Sequence, residues 1–156
     1  MDSTDILINI RKIVRSINLE SKRIQKDYGV SIPQVLCLNF LYRSAKYQAT
    51  QRELKTYLNL NPSTVSGIIQ RLEKKGLIAR LPKLEDKRVA NLALTAAGEK
   101  ILKHIPPLLH ERLTLQLTKL DESELESIET MLEKLVQMLQ IQAVEAFPVI
   151  TDEEFE

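Results

Sequence analysis

The sequence predicts a mainly α-helical protein with one small β-hairpin, in the order ααααββαα. Only 4 Gly and 6 Pro interrupt its 156 residues, and this scarcity of helix breakers favours helices. Apolar residues recur at three, four and seven positions along most of the chain, which is the period of amphipathic helices. The period changes around residues 77–94, where two short apolar runs flank a charged loop, as expected for a hairpin.

The first two helices have recognisable ends. Isoleucines within Ile6–Ile24 predict one long amphipathic helix over residues 1–30, and Gly29 provides a left-handed exit from it. Ser31 and Gln34 have the spacing of a capping box, in which each residue bonds the backbone of the other. A second, mostly apolar helix should therefore begin at this point.

The third and fourth helices form a pair in which a short helix precedes a longer one. Thr50 and Glu53 have capping-box spacing and open the short helix. Asn61 is an N-cap followed by Pro62 at the first helical position, where the missing N–H does no harm. The fourth helix is predicted over residues 61–75.

A hairpin over residues 77–94 and two further helices complete the prediction. Thr95 caps the fifth helix, which Pro106-Pro107 should kink. Asp121 and Glu124 have capping-box spacing and open the last helix. A short helix, a tight turn, a longer helix and then a hairpin is the connectivity of a winged helix-turn-helix.

Charge is unevenly distributed, although the net charge is only +1. Residues 1–120 hold 21 Lys and Arg against 10 Asp and Glu, whereas residues 121–156 hold one Lys against 11 acidic residues. A basic body of this kind can present a positive surface to nucleic-acid phosphates while the molecule stays soluble. A merely solvated acidic helix and tail explains the same distribution.

Composition favours a cytoplasmic location. Charges within the first twelve residues leave no apolar core for a signal peptide. No stretch approaches the roughly 18 uncharged apolar residues of a membrane span, so no membrane partner is expected. The single cysteine, Cys37, fits a reducing compartment. It lies among apolar residues, so we expect a buried, inert thiol rather than a redox sensor.

The predicted fourth helix has an apolar face and a polar face. Val65, Ile68, Ile69 and Leu72 lie within one arc and should face the core. Small or polar residues precede longer cationic ones on the opposite arc, as in a helix that enters the major groove; these residues are Ser63, Ser66, Gly67, Gln70, Arg71 and Lys74. A glycine inside an outward helical face costs about 1 kcal/mol relative to alanine, and close approach of another molecule would offset that cost. A plain surface helix is the alternative.

The hairpin loop is short and strongly charged. Arg88 could insert into a minor groove, whose negative potential attracts arginine, with Lys87 and Lys83 on flanking phosphates. Asp86 is better placed to hold the Arg88 guanidinium than to contact DNA. An ordinary solvated hairpin tip is the alternative.

Three segments together resemble the multiple-antibiotic-resistance regulator (MarR) family. Leu72–Arg80 reads LEKKGLIAR, Asp86–Arg88 reads DKR, and Leu92–Gly98 reads LALTAAG. That family has a recognition helix ending in Leu-Glu-x-x-Gly, a wing with Asp-x-Arg, and Leu-Thr-x-x-Gly opening the next helix. The spacing matches throughout, and the resemblance covers roughly residues 5–145.

The resemblance implies a homodimer that binds double-stranded DNA, with recognition helices in successive major grooves of a pseudo-palindrome and wings in the minor groove. By position, Arg88 matches the wing arginine, and the recognition surface matches Ser63, Thr64, Ser66, Gly67, Gln70 and Arg71. Many members are repressors released by a small ligand or by thiol oxidation, although this first helix lacks the early cysteine of the oxidation sensors. The implied domains are 1–30, the N-terminal dimerisation helix; 31–98, the winged helix-turn-helix with recognition helix 61–75 and wing 77–94; 99–146, the C-terminal dimerisation helices; and 147–156, an acidic tail.

Polar side chains and histidines are the candidates for binding small ligands or metal ions. Arg15, Asn39 and Tyr42 are polar groups that could line an effector pocket, although solvent exposure explains each of them equally well. His104 and His110 are six residues apart, about 240° around a helix, so one metal ion cannot easily take both. No metal or cofactor is expected.

Two other classes of function compete with DNA binding. For an enzyme, the sequence offers no glycine-rich phosphate loop, no His-Glu-x-x-His and no nucleophile elbow. For a winged helix that binds only protein, we would expect the cations of the recognition face to be lost. This sequence keeps them, at Arg71, Lys74, Lys75, Lys87 and Arg88. We therefore expect a transcriptional regulator rather than an enzyme.

Overall fold

The computed structural model describes residues 2–82, 91–144, 146 and 149, and it divides into two compact units, Met1–Pro106 and Pro107–Ile150. The predicted fold class is confirmed, because helices dominate and a small antiparallel sheet includes the hairpin. The helices and strands of the described residues are α1 (Ser3–Tyr28), α2 (Ile32–Arg43), β1 (Gln48–Thr50), α3 (Gln51–Leu58), α4 (Pro62–Lys74), β2 (Ile78–Leu81), β3 (Asn91–Leu94), α5 (Ala96–His104), α6 (Leu109–Leu117) and α7 (Glu122–Met138).

The helix caps predicted at Gly29, Ser31 and Asn61 are confirmed. Gly29 has φ 68° and donates its N–H to the Gln25 carbonyl, which ends α1 in the left-handed region. In the capping box of α2, the Gln34 N–H donates to Ser31 Oγ at 3.3 Å, and the Ser31 N–H donates to Gln34 Oε1 at 3.2 Å. The Asn61 carboxamide oxygen accepts the Thr64 N–H at 2.9 Å and starts α4.

Two further capping boxes were predicted. One forms both of its hydrogen bonds, and the other forms only one. Asp121 and Glu124 bond each other's backbone N–H groups, so the box that opens α7 is complete. At α3, Thr50 Oγ1 accepts the Glu53 N–H at 3.1 Å. The reciprocal bond from the Glu53 side chain is not formed, so Thr50 acts as a simple N-cap.

The sheet has one more strand than the predicted hairpin. β2 and β3 pair antiparallel, with Ile78 opposite Leu94, and β1 pairs on the other edge of β3, with Gln48 opposite Ala93. A 3-10 turn at Ala45–Tyr47 leads into β1. The sequence did not indicate β1, because a three-residue strand has too few positions for a periodic pattern and its partner lies far along the chain.

The predicted fifth helix is broken into two. α5 ends at His104 and α6 begins at Leu109, with Pro106 and Pro107 between them. Proline lacks an N–H and forces the preceding residue out of the helical region, and Ile105 accordingly has ψ 123°. The prediction of a kinked continuous helix was therefore wrong, and the two prolines separate α5 from α6.

The core of the first unit forms around α2. Eight of its twelve residues are buried, which explains why its apolar residues show no single face. α2 packs against α3, α4, α5 and β3. Among the described residues, no helix combines the length and the low charge that crossing a membrane would require.

Candidate nucleic-acid interface

The buried face of α4 sets its orientation. Val65, Ile69 and Leu72 are completely buried, and Ile68 is 4% exposed. These are the four residues that the sequence assigned to the core. Because four anchors over two turns leave the helix no freedom to rotate, the opposite face must point away from the core of the first unit.

The residues predicted for the recognition surface do not all lie equally far outward. Four are exposed, and these are Ser63, Gln70, Arg71 and Lys74. Three are half-buried, and these are Thr64, Ser66 and Gly67. The outward face is thus polar near the start of α4 and cationic in its last turn, as predicted.

Two hydroxyls near the start of α4 are constrained by their surroundings. Ser63 Oγ donates to Asn61 Oδ1 at 2.7 Å, so it supports the N-cap. Thr64 Oγ1 is buried and has no hydrogen-bond partner among the described residues. In this rotamer the Thr64 oxygen cannot reach a ligand outside the protein, so a contact through Thr64 would require its side chain to rotate.

Ser66 is connected to the preceding helix by a bond that the sequence did not indicate. Gln51, the first residue of α3, donates from Nε2 to Ser66 Oγ at 2.7 Å. The two residues are fifteen positions apart, and no local spacing rule relates them. Gln51 is therefore a candidate site residue that sequence reasoning missed.

Gly67 is not required by the packing of the protein itself. A Cβ built on Gly67 would meet only the Arg71 guanidinium, with Nη1 at 3.6 Å, an ordinary van der Waals contact. Its backbone is helical, so no positive φ demands glycine there. The space above Gly67 is thus free for another molecule to approach α4 closely.

Among the cations at the end of α4, Lys75 has a structural role. Lys75 Nζ donates to the Gly29 carbonyl at 2.6 Å and to Gln34 Oε1 at 3.0 Å, so it ties the end of α4 to the turn between α1 and α2. Loss of hydration, and then the charge of Arg71, lower the pKa of Lys75. Lys75, which the sequence grouped with the recognition cations, is thus also engaged in bonds within the protein.

Glu73 and Arg80 also join α4 to the sheet. Arg80 Nε donates to Glu73 Oε2 at 3.1 Å, and both side chains remain more than a third exposed. A pair this exposed adds little stability. It does pair the charge of Arg80, which lies in β2, whereas the outward face of α4 carries the cations Arg71 and Lys74.

The Leu-Thr-x-x-Gly segment has a structural role. Thr95 Oγ1 donates to the Gly76 carbonyl at 2.7 Å and accepts the Gly98 N–H at 3.1 Å, while the Thr95 N–H donates to the Leu77 carbonyl at 3.1 Å. A Cβ on Gly98 would overlap the Leu77 carbonyl oxygen and the Leu94 side chain. These contacts fasten the start of α5 to the residues that follow α4.

The predicted wing residues Lys83, Lys87 and Arg88 lie outside the described residues, as does Asp86. The strands on either side of that loop, β2 and β3, are described and paired. The Leu77 N–H donates to the Leu72 carbonyl in α4, and Leu77 immediately precedes β2. The paired strands therefore begin beside the end of α4. The contacts proposed for the three cations stay predictions.

The three predicted effector residues have different environments. Arg15 is exposed on α1, and Asn39 is half-buried on α2. Tyr42 is 40% exposed and stacks on Tyr47, with ring centroids 5.4 Å apart. Within the described parts of the chain, no hydrogen bond or ion pair links Arg15, Asn39 and Tyr42, so the effector pocket also stays a prediction.

The remaining candidates for ligand chemistry are a thiol and two histidines. Cys37 is completely buried, as predicted, and burial raises the pKa of its thiol to about 12. A thiol held in this form is a poor nucleophile. His104 Nδ1 donates to the Lys100 carbonyl at 2.8 Å, and over residues 2–82 and 91–144 no group of three metal-ligating side chains occurs.

Helices α6 and α7 of the second unit are unusually exposed. None of their residues is buried. A groove of about 700 Å³ runs along α7 and reaches Leu117, the last residue of α6. Its apolar lining consists of Leu117, Leu125, Ile128, Leu132 and Val136.

Comparison with known proteins gives consistent matches. A model of the MarR family matches residues 30–90. The HTH-type transcriptional regulator BilQ of Clostridium symbiosum is 33% identical over 112 residues, which cover 72% of this chain and 76% of BilQ. The multiple antibiotic resistance protein MarR of Escherichia coli is 28% identical over 143 residues, covering 87% of this chain and 99% of that protein.

A solved structure is also similar to this chain. In the crystal structure of a complex of S. aureus MepR with DNA, MepR is similar to this chain with a TM-score of 0.62 and 25% sequence identity. The similarity covers 85% of this chain and 96% of that one.

Proposed function

Because the chain belongs to the MarR family of transcriptional regulators, which are not enzymes, we propose that it is a homodimeric repressor that binds double-stranded DNA sequence-specifically at pseudo-palindromic operators. The observation that carries this proposal is the outward face of α4. Its anchoring residues are buried, while its outward face exposes polar and cationic side chains, which are Ser63, Gln70, Arg71 and Lys74.

The physical properties of α4 suit a major groove. Ser63 and Gly67 are small, so they allow the helix to lie deep in the groove, and Gln70 can form two hydrogen bonds with an adenine edge. Arg71 and Lys74, one turn farther along, can reach a guanine edge or the phosphates. In the same proposal, Arg88 enters the minor groove while Lys83 and Lys87 contact phosphates.

A selection experiment tests this function. Incubating the full-length protein with a pool of random-sequence DNA duplexes and sequencing the retained ones should yield an inverted repeat. Its half-sites should be centred about 10 base pairs, or one helical turn, apart, since two recognition helices related by a twofold axis reach successive major grooves. Retention of no preferred sequence would contradict the proposal, and a single unrepeated site would contradict its dimeric form.

The homodimer is supported by apolar surface that a monomer would leave in water. On α1, Ile6, Leu7, Ile13 and Val14 are each about half exposed. On α7, Leu132 is 55% exposed and lines the groove along that helix. Exposed apolar faces on each of these two helices mark interaction sites, and a second copy of the chain would cover them.

Leu132 offers a direct test of this interface. Leu132→Glu is expected to convert the dimer to a monomer in sedimentation velocity, because it would bury an unpaired carboxylate between the copies. Thr130→Glu is a matched control, since it introduces the same charge at an exposed position on the polar side of α7. If the Leu132 variant remained as dimeric as the control, this face would not be the interface.

Release by a small-molecule effector completes the proposed function. Arg15, Asn39 and Tyr42 are the residues offered for it, and the stacked rings of Tyr42 and Tyr47 would suit a planar aromatic ligand. A protein with this function acts where the DNA is, which is consistent with the expected cytoplasmic location.

A further inference from the structure

The Gln51–Ser66 hydrogen bond connects the first residue of α3 to the predicted recognition surface of α4. Gln51 Nε2 donates to Ser66 Oγ at 2.7 Å, and both residues are half-buried. At this length the bond is close to the shortest expected for an N–H donor and an oxygen acceptor. The Ser66 oxygen is therefore fixed in position before any DNA arrives.

The bond also limits the roles that the Ser66 hydroxyl can take. A serine hydroxyl has one proton to donate and two lone pairs that accept. Since Gln51 occupies one lone pair and crowds the oxygen on that side, the proton points elsewhere. Among residues 2–82 and 91–144, no group accepts it. Ser66 thus has a donor available at the edge of the α4 face.

We propose that Gln51 is a positioning residue that fixes the Ser66 hydroxyl as a hydrogen-bond donor to an acceptor atom of DNA. This inference rests on the proposed function. The acceptor is either a base-edge atom, such as N7 or O6 of guanine or O4 of thymine, or a phosphate oxygen. The amino groups of adenine and cytosine are themselves donors and cannot accept this proton.

A double-mutant cycle tests the inference on a duplex selected from a random pool by the full-length wild-type protein. Ser66→Ala is expected to weaken affinity about 5-fold, the effect of one net hydrogen bond. Gln51→Met keeps the side-chain length without the donor and should weaken affinity about 3-fold in the wild-type background, but less than about 1.5-fold in the Ser66→Ala background. Gln116→Met, on exposed α6, is the matched control and should leave affinity unchanged.

The outcomes separate the inference from the proposed function. If the wild-type protein retains no duplex, the proposed function fails and this inference fails with it. If it binds DNA but the effects of the two substitutions are additive, the inference alone is overturned. Equal thermal midpoints for all variants would exclude a folding defect as the origin of the coupling.

The base preferences of the variants identify the acceptor. Repeating the selection with Gln51→Met should relax the preference at one operator position if Ser66 donates to a base edge. If it donates to a phosphate, affinity should fall equally for all sequences and the preferences should stay unchanged. Both results support the positioning role, provided that the coupling between Gln51 and Ser66 is present.

Discussion

Replacing Gly98 with alanine is expected to lower the free energy of unfolding by about 2–3 kcal/mol, a typical effect of overpacking. The added methyl group would overlap the Leu77 carbonyl oxygen, which is backbone and cannot rotate away, and the Leu94 side chain. Relief requires α5 to move from the segment that follows α4, which would strain the bonds of Thr95 to Gly76 and Leu77. Urea denaturation of the purified protein measures the change.

The same substitution at Gly67 provides the control for Gly98→Ala. Both glycines lie in helices, but the Cβ at Gly67 would contact only the end of the flexible Arg71 side chain. If Gly98→Ala lowers the stability and Gly67→Ala does not, the contact with Leu77 is the cause of the loss. Equal changes at the two sites would mean that Gly98 is not a packing position.

Gly67→Ala is expected to raise stability and to weaken DNA binding. Alanine is favoured over glycine inside a helix by about 1 kcal/mol, and nothing in the described protein opposes its methyl group. On DNA, that methyl group would lie where α4 comes closest to the groove. We expect affinity to fall about 10-fold or more, comparable to losing a specific base contact.

Urea denaturation and a binding titration on the selected duplex together measure these opposite effects. Thr130→Ala, on the polar side of α7, is the matched control, because it also raises helix propensity but lies far along the chain from α4. Unchanged affinity in a stabilised Gly67→Ala protein would place Gly67 outside the interface. A loss of affinity in the control would show that helix stability, not contact, controls binding.

Predictions from the sequence succeeded where the information was local. The caps at Ser31, Asn61 and Asp121 depend on residues two or three positions away, so spacing alone located the starts of their helices. The four anchors of α4 followed from the helical period in the same way. These features were sufficient to predict the fold class and the face of α4 that points outward.

Predictions failed where distant segments meet. The pairing of β1 with β3 and the donation from Gln51 to Ser66 join residues with no regular spacing. Lys75 resembled its neighbour Lys74 in the sequence, and only the folded chain brings it to the Gly29 carbonyl. The roles of individual side chains in the site therefore depend on tertiary contacts. Neither the spacing of apolar residues nor the helix caps predicts such contacts.

Sequence-specific DNA binding through a cationic surface is the central claim, and the salt dependence of affinity tests it most directly. Dissociation constants should be measured for the selected duplex and for a scrambled duplex of equal length between 50 and 200 mM salt, a range over which about 6–10 phosphate contacts cost 10³–10⁵-fold in affinity. We predict a loss of at least about 100-fold on the selected duplex, with tighter binding to it than to the scrambled one at every salt concentration. Affinity that is insensitive to salt, or equal for the two duplexes, would contradict the account.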